Sequence, residues 1–217
     1  MRDNFDRLLS ELNDQLIQMG TLIENAIANA VGSLTENNSE YVKNTAEIEK
    51  LVDQKEKDIE GLCLKILLQQ HPVARDLRVV SSALKMITDM ERIGDQAEDI
   101  AEISVTMKNK KLGQDQINIP QMAKATTKMV TDSINAFVNK DVELALSVLK
   151  ADDYVDDLFN IIRSEVTGLI RQNAEDGEDA IDIIMIAKYF ERIGDHATNI
   201  AEWVYFSITG EHRYANE

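Results

Sequence analysis

The chain has 217 residues, enough for one large domain or two small ones with a sizeable core. With only 2 Pro, 9 Gly and 5% aromatics, against 44% hydrophobic and 29% charged residues, it favours long helices over sheets. A formal net charge of −16 repels phosphate backbones and anionic lipid, so nucleic-acid binding and a polybasic membrane anchor are both disfavoured, while cations or basic patches on partners are suited.

Apolar residues fall at helical spacing from the start. Phe5, Leu8, Leu12, Leu16, Met19, Ile23, Ile27, Ala30 and Leu34 step by three or four, which predicts one long first helix that tolerates Gly20 and ends at the polar run 36–39. Ser39 is the expected N-cap of a second helix over about 40–70, striped by Ile48, Leu51, Val52, Ile59, Leu62 and Ile66. Cys63 is the only cysteine, so no intramolecular disulfide forms, and it reads as a core thiol between Leu62 and Leu64. His71-Pro72 stops the second helix, and Pro72 suits the first turn of a third that runs to about Lys110. Residues 110–120, with Gly113 and the second proline, read as a linker. A fourth helix is expected over about 120–138, a turn at Asn139-Lys140-Asp141, a fifth over about 141–173, a turn over 173–178, and a sixth from about 178 to 209, closed by Gly210.

Short turns force antiparallel neighbours, and the one long linker falls mid-chain. The expected fold is therefore all-α, two three-helix units spanning 1–112 and 118–213. Residues 1–6 lack the basic and apolar segments of a signal peptide, and no run reaches the ~18 apolar residues of a membrane span, so a soluble intracellular protein is expected.

An internal repeat supports the division. Residues 91–102 read Glu-Arg-Ile-Gly-Asp-Gln-Ala-Glu-Asp-Ile-Ala-Glu and residues 191–202 read Glu-Arg-Ile-Gly-Asp-His-Ala-Thr-Asn-Ile-Ala-Glu, identical at nine of twelve positions. Met86, Met90, Ile93, Ala97 and Ile100 form a core stripe matched by Ile186, Phe190, Ile193, Ala197 and Ile200. Gly94, Ala97 and Ala101, with Gly194, Ala197 and Ala201, are small enough to let a neighbouring helix come close.

Glu91 and Asp95 are i, i+4 and share one face, with Asp99 extending the row; Glu191, Asp195 and Asn199 repeat it. In an antiparallel hairpin, residues equidistant from the turn lie level. Asp53 and Glu91 each stand 19 residues from Pro72, and Glu49 and Asp95 are similarly matched. Asp152 with Asp195, and Asp156 with Glu191, flank the Asn173–Ala174 junction symmetrically. Four level carboxylates need compensation: protonation, pairing with Arg92 or Arg192, or cations. Oxygen-only ligation suits magnesium, calcium or manganese, and carboxylate-rich helical sites also hold iron or zinc.

No catalytic set stands out. There is no Gly-rich phosphate loop, and His71, His196 and His212 are scattered. Di-iron bundle enzymes carry Glu-x-x-His, and neither Glu91 nor Glu191 has a histidine three residues on. These residues leave open a non-catalytic adaptor, a metal-cluster-dependent hydrolase and a purely structural helical adaptor.

The doubled Glu-Arg-Ile-Gly-Asp motif, the His71-Pro72-Val73-Ala74-Arg75-Asp76-Leu77-Arg78 segment and the tail from Asn199 to Gly210 resemble the PhoU family over nearly the whole chain. The resemblance implies two three-helix bundles with pseudo-twofold symmetry. It implies multinuclear metal clusters, often iron or zinc, on Glu49, Asp53, Glu91 and Asp95 and on Asp152, Asp156, Glu191 and Asp195, with Asp99 and Asn199 at the motifs' third position. It also implies a cytoplasmic homodimer that modulates a phosphate ABC transporter through its ATPase subunit. Repression of the phosphate-starvation response would pass through a phosphate-sensing histidine kinase.

Overall fold

A computed structural model describes residues 2–36, 38–70, 72–107 and 118–212. His71 and most of the expected linker, 110–117, lie outside them. The described residues form six long helices and no strand: α1 (Arg2–Thr35), α2 (Glu40–Gln70), α3 (Arg75–Thr106), α4 (Ile119–Asn139), α5 (Val142–Gln172) and α6 (Gly177–Thr209), with a 3₁₀ turn at Ala174–Asp176 before α6. Among these residues no helix is long and apolar enough to cross a membrane.

Helix ends follow local chemistry. Asp141 caps α5 by accepting the Leu144 N–H at 2.9 Å, and Gly210 closes α6 in the left-handed region at φ 83°. Two ends differ from expectation. At the start of α2 it is Asn38 whose side chain accepts a backbone N–H, from Glu40 at 2.9 Å, ahead of the expected Ser39. Pro72 sits in the turn rather than in the first turn of α3, because the chain makes a further bend at Ala74, φ 47°, before the helix begins at Arg75.

α1, α2 and α3 pack on one another, as do α4, α5 and α6. The two units join side by side, α3 against α6 and α1 against α4. The sequence stripes supply the core. Leu8, Leu12, Leu16, Met19 and Ile23 of α1 are fully buried, as are Met86, Met90 and Ile93 of α3 and Phe190 and Ile193 of α6. Each such side chain favours folding by about 1.5–3 kcal/mol through removal from water. Cys63 is buried in this core, and burial pushes its thiol up to about 12.

The small residues of the repeat set how closely the helices approach. A Cβ on Gly94 would stand 3.2 Å from Val52 Cγ1 of α2, and one on Gly194 would stand 3.4 Å from Val155 Cγ1 of α5. Val52 and Val155 each precede an acid of the candidate rows, Asp53 and Asp156. The close approach therefore lies at the level of the carboxylates in both halves.

Candidate metal centre

In the first half, α2 supplies Glu49 and Asp53 and α3 supplies Glu91 and Asp95. Glu49 and Glu91 each feel both Asp53 and Asp95. Glu49 is raised to about 6, first by burial and then by repulsion from Asp53, Glu98 and Asp95. Glu91 is raised by burial, then by Asp95, with Glu56 and Asp53 adding to it. The level pairing read from the turn at Pro72 thus brings Glu49 to Asp95 and Asp53 to Glu91. Arg92 relieves part of the repulsion, with Nε 3.4 Å from Glu91 Oε2 and Nη1 3.0 Å from Asp95 Oδ2.

The second half repeats the arrangement with other chemistry. Asp152 on α5 is raised to about 6 by burial and by Asp195 and Asp156; the Thr198 hydroxyl nearby, outside good hydrogen-bond geometry, offsets this only partly. Asp156 is raised by burial and by Glu191, and Asp195 by burial and by Glu191 and Asp156. Lys188 pairs with Glu191.

The third positions face the neighbouring half, with Asp99 still in the field of Asp95. Asn199 donates from Nδ2 to Asp89 Oδ1 at 3.0 Å, and Tyr189 of α6 faces Asp99 of α3, offsetting part of the rise that burial gives this carboxyl. Both contacts cross from one half to the other along the α3–α6 contact. His196 joins the first of them, donating from Nδ1 to Asp89 Oδ1 at 2.9 Å. His212 stacks on Phe206, with ring centroids 4.1 Å apart.

Several participants were not singled out in the sequence. Glu98 follows Asp95 by three residues and Glu56 follows Asp53 by three, so the same helical spacing that marked the rows extends to them. Asp89, Lys188 and Tyr189 carry no such mark, because their partners come from helices whose juxtaposition no periodicity encodes.

Metal ions of the kind the resemblance implies fit the donor set. Only carboxylate oxygens are offered, from two adjoining helices, at sites where burial and then like charge make two of the acids weak. As placed, Glu91 and Asp95 pair with Arg92 and Glu191 with Lys188, and among the described residues no group of three His, Cys, Asp or Glu is positioned to hold an ion. Two grooves of 610 and 600 Å³ flank α4, and none of the eight carboxylates lines either.

The chain matches the PhoU domain twice, over residues 16–104 and 119–204. It is 30% identical to the phosphate-specific transport system accessory protein PhoU homolog of Clostridium acetobutylicum, over 97% of this chain and 96% of that one. It is 32% identical to PhoU homolog 1 of Thermotoga maritima, over 96% of this chain and 90% of the relative. The crystal structure of PhoU from Pseudomonas aeruginosa matches with a TM-score of 0.88 at 31% identity, over 95% of this chain and all of that one. The phosphate transport system regulatory protein PhoU from Streptococcus pneumoniae gives 0.88 at 27% identity, over 96% of this chain and 98% of that one.

Proposed function

Because this chain belongs to the PhoU family, we propose that it regulates phosphate uptake as an accessory protein of a phosphate transport system. The observation that carries this reading is the end-to-end match to relatives named for that role, spanning both halves of the chain. On this reading the protein is a cytoplasmic homodimer. It modulates the ATPase subunit of a phosphate ABC transporter and represses phosphate-starvation signalling through a phosphate-sensing histidine kinase. The acidic surface suits basic patches on such partners.

The same reading gives the carboxylate rows a role. Glu49, Asp53, Glu91 and Asp95 hold one metal centre, and Asp152, Asp156, Glu191 and Asp195 the other, with Asp99 and Asn199 at their edges. Bound iron, zinc, manganese or magnesium supplies positive charge that offsets the repulsion among these acids. The protein contributes hard oxygen donors on helices that approach most tightly in the first half, where Gly94 leaves room for Val52. It acts as an adaptor, without catalysis of its own.

Gene deletion tests the regulatory role. Phosphate uptake and a starvation-response reporter are measured at high and at low phosphate. Derepressed signalling at high phosphate is expected. An unchanged response in both conditions contradicts the assignment.

A further inference from the structure

We propose that Lys188 is a tethered counter-ion of the second carboxylate set, one that an incoming divalent cation must displace, and that the Phe159 ring is the face to which it withdraws. The inference rests on the reading that these carboxylates hold metal. It concerns one half only.

The internal duplication makes the comparison direct. On α3 and α6 equivalent residues are 100 apart, so Lys188 corresponds to Thr88. On α2 and α5 the acids Glu49 and Asp53 correspond to Asp152 and Asp156, 103 apart, so Phe159 corresponds to Glu56. In the first half the Thr88 hydroxyl donates to Glu56 Oε1 at 3.3 Å, and no lysine stands there. In the second half the Lys188 ammonium pairs with Glu191 and lies 5.6 Å from the centre of the Phe159 ring. A cation over an aromatic face is attracted by the ring's quadrupole. The ammonium therefore has two favourable neighbours, one of which no metal competes for.

Lys188 also reaches beyond Glu191. Its charge acts on Asp156 of α5 and Asp195 of α6, opposing the repulsion that each feels. It thus touches or faces three of the four second-half carboxylates, on both helices. Arg92 of the first half, like Lys188, forms its ion pairs within its own helix, with Glu91 and Asp95. The charge of its counterpart Arg192 acts on Asp99 across the α3–α6 contact. Loading the second centre means moving a flexible four-carbon side chain, 46% exposed, off its acid.

The test uses the full chain, stripped with chelator and titrated with Mn²⁺ by calorimetry, with bound metal counted by elemental analysis. Glu91→Gln with Asp95→Asn isolates the second centre. In that background Lys188→Thr, which installs the first half's residue, tightens Mn²⁺ binding by about tenfold. Lys188→Arg, which keeps the charge, leaves it within about twofold. In the converse background, Glu191→Gln with Asp195→Asn, Thr88→Lys weakens the first centre. Amine labelling of the wild-type chain, read by mass spectrometry, rises at Lys188 on Mn²⁺ loading and stays level at the other lysines. Circular dichroism confirms that each variant folds. Mn²⁺ binding that Lys188→Thr leaves unchanged, or Lys188 labelling indifferent to metal, overturns the proposal while sparing the metal reading. No Mn²⁺ uptake by the wild-type chain overturns both.

Discussion

Gln96 and His196 occupy equivalent places in the two halves, on α3 and α6, yet they behave differently. Gln96 is 4% exposed and its Oε1 is buried without a partner among the described residues, whereas His196 donates to Asp89 of the other half. The same contrast recurs at positions 89 and 189, where an aspartate binds His196 and Asn199 and a tyrosine faces Asp99. It recurs again at 88 and 188, where threonine faces Glu56 and lysine faces Glu191 and Phe159. Duplication has kept what positions the helices, the glycines and the apolar stripe. It has let the polar residues between the helices diverge. A frame held by apolar packing tolerates such divergence, because exchanges at half-exposed polar positions cost little stability.

The sharpest way to break the equivalence is at the glycines. Alanine at position 94 gains up to about 1 kcal/mol of helix propensity but crowds Val52, a stiff β-branched side chain, and the net expectation is destabilisation of about 1 kcal/mol. Alanine at position 194 meets Val155 Cγ1 at 3.4 Å and Asp152 Oδ1 at 3.6 Å, ordinary contacts, so Gly194→Ala is expected to be neutral or slightly stabilising. Urea unfolding of the two variants measures the difference. Equal losses would mean that the helix spacing is the same in both halves.

A smaller effect comes from the carboxylates themselves. Glu49 and Asp152 titrate near 6 in the folded chain, above their ordinary values of 4.5 and 3.8. Between those values the folded state binds more protons than the unfolded state, so stability falls as pH rises through about 6 and is regained on acidification. Chelator-treated protein is expected to melt a few degrees higher at pH 5 than at pH 7, opposite to ordinary acid destabilisation. Asp152→Asn should flatten this dependence more than Glu49→Gln, since its group is displaced further. A melting temperature that drops steadily below pH 7 contradicts the upward displacement of these two carboxyls by burial and like charge.

These predictions rest on features with unequal visibility in the sequence. Helix number and order follow from apolar spacing, and Asp141 and Gly210 mark their boundaries by chemistry that acts within one turn. The level pairing of Glu49 with Asp95 and Asp152 with Asp195 was legible because a hairpin makes height a function of distance from its turn. The bend at Ala74 was not, since alanine carries no preference for positive φ. Nor were the contacts of Asp89 and Tyr189, which depend on how α3 lies against α6. Asp99 and Asn199 continue their acidic rows by spacing, but the neighbouring half offers each a partner, Tyr189 and Asp89.

Anomalous scattering from crystals of protein purified without chelator tests the central claim most directly. The account predicts metal peaks in both halves, one bounded by Glu49, Asp53, Glu91 and Asp95 and the other by Asp152, Asp156, Glu191 and Asp195. Carboxylates of either set turned away from one another, with no peak between them in crystals grown with excess Mn²⁺, would contradict it.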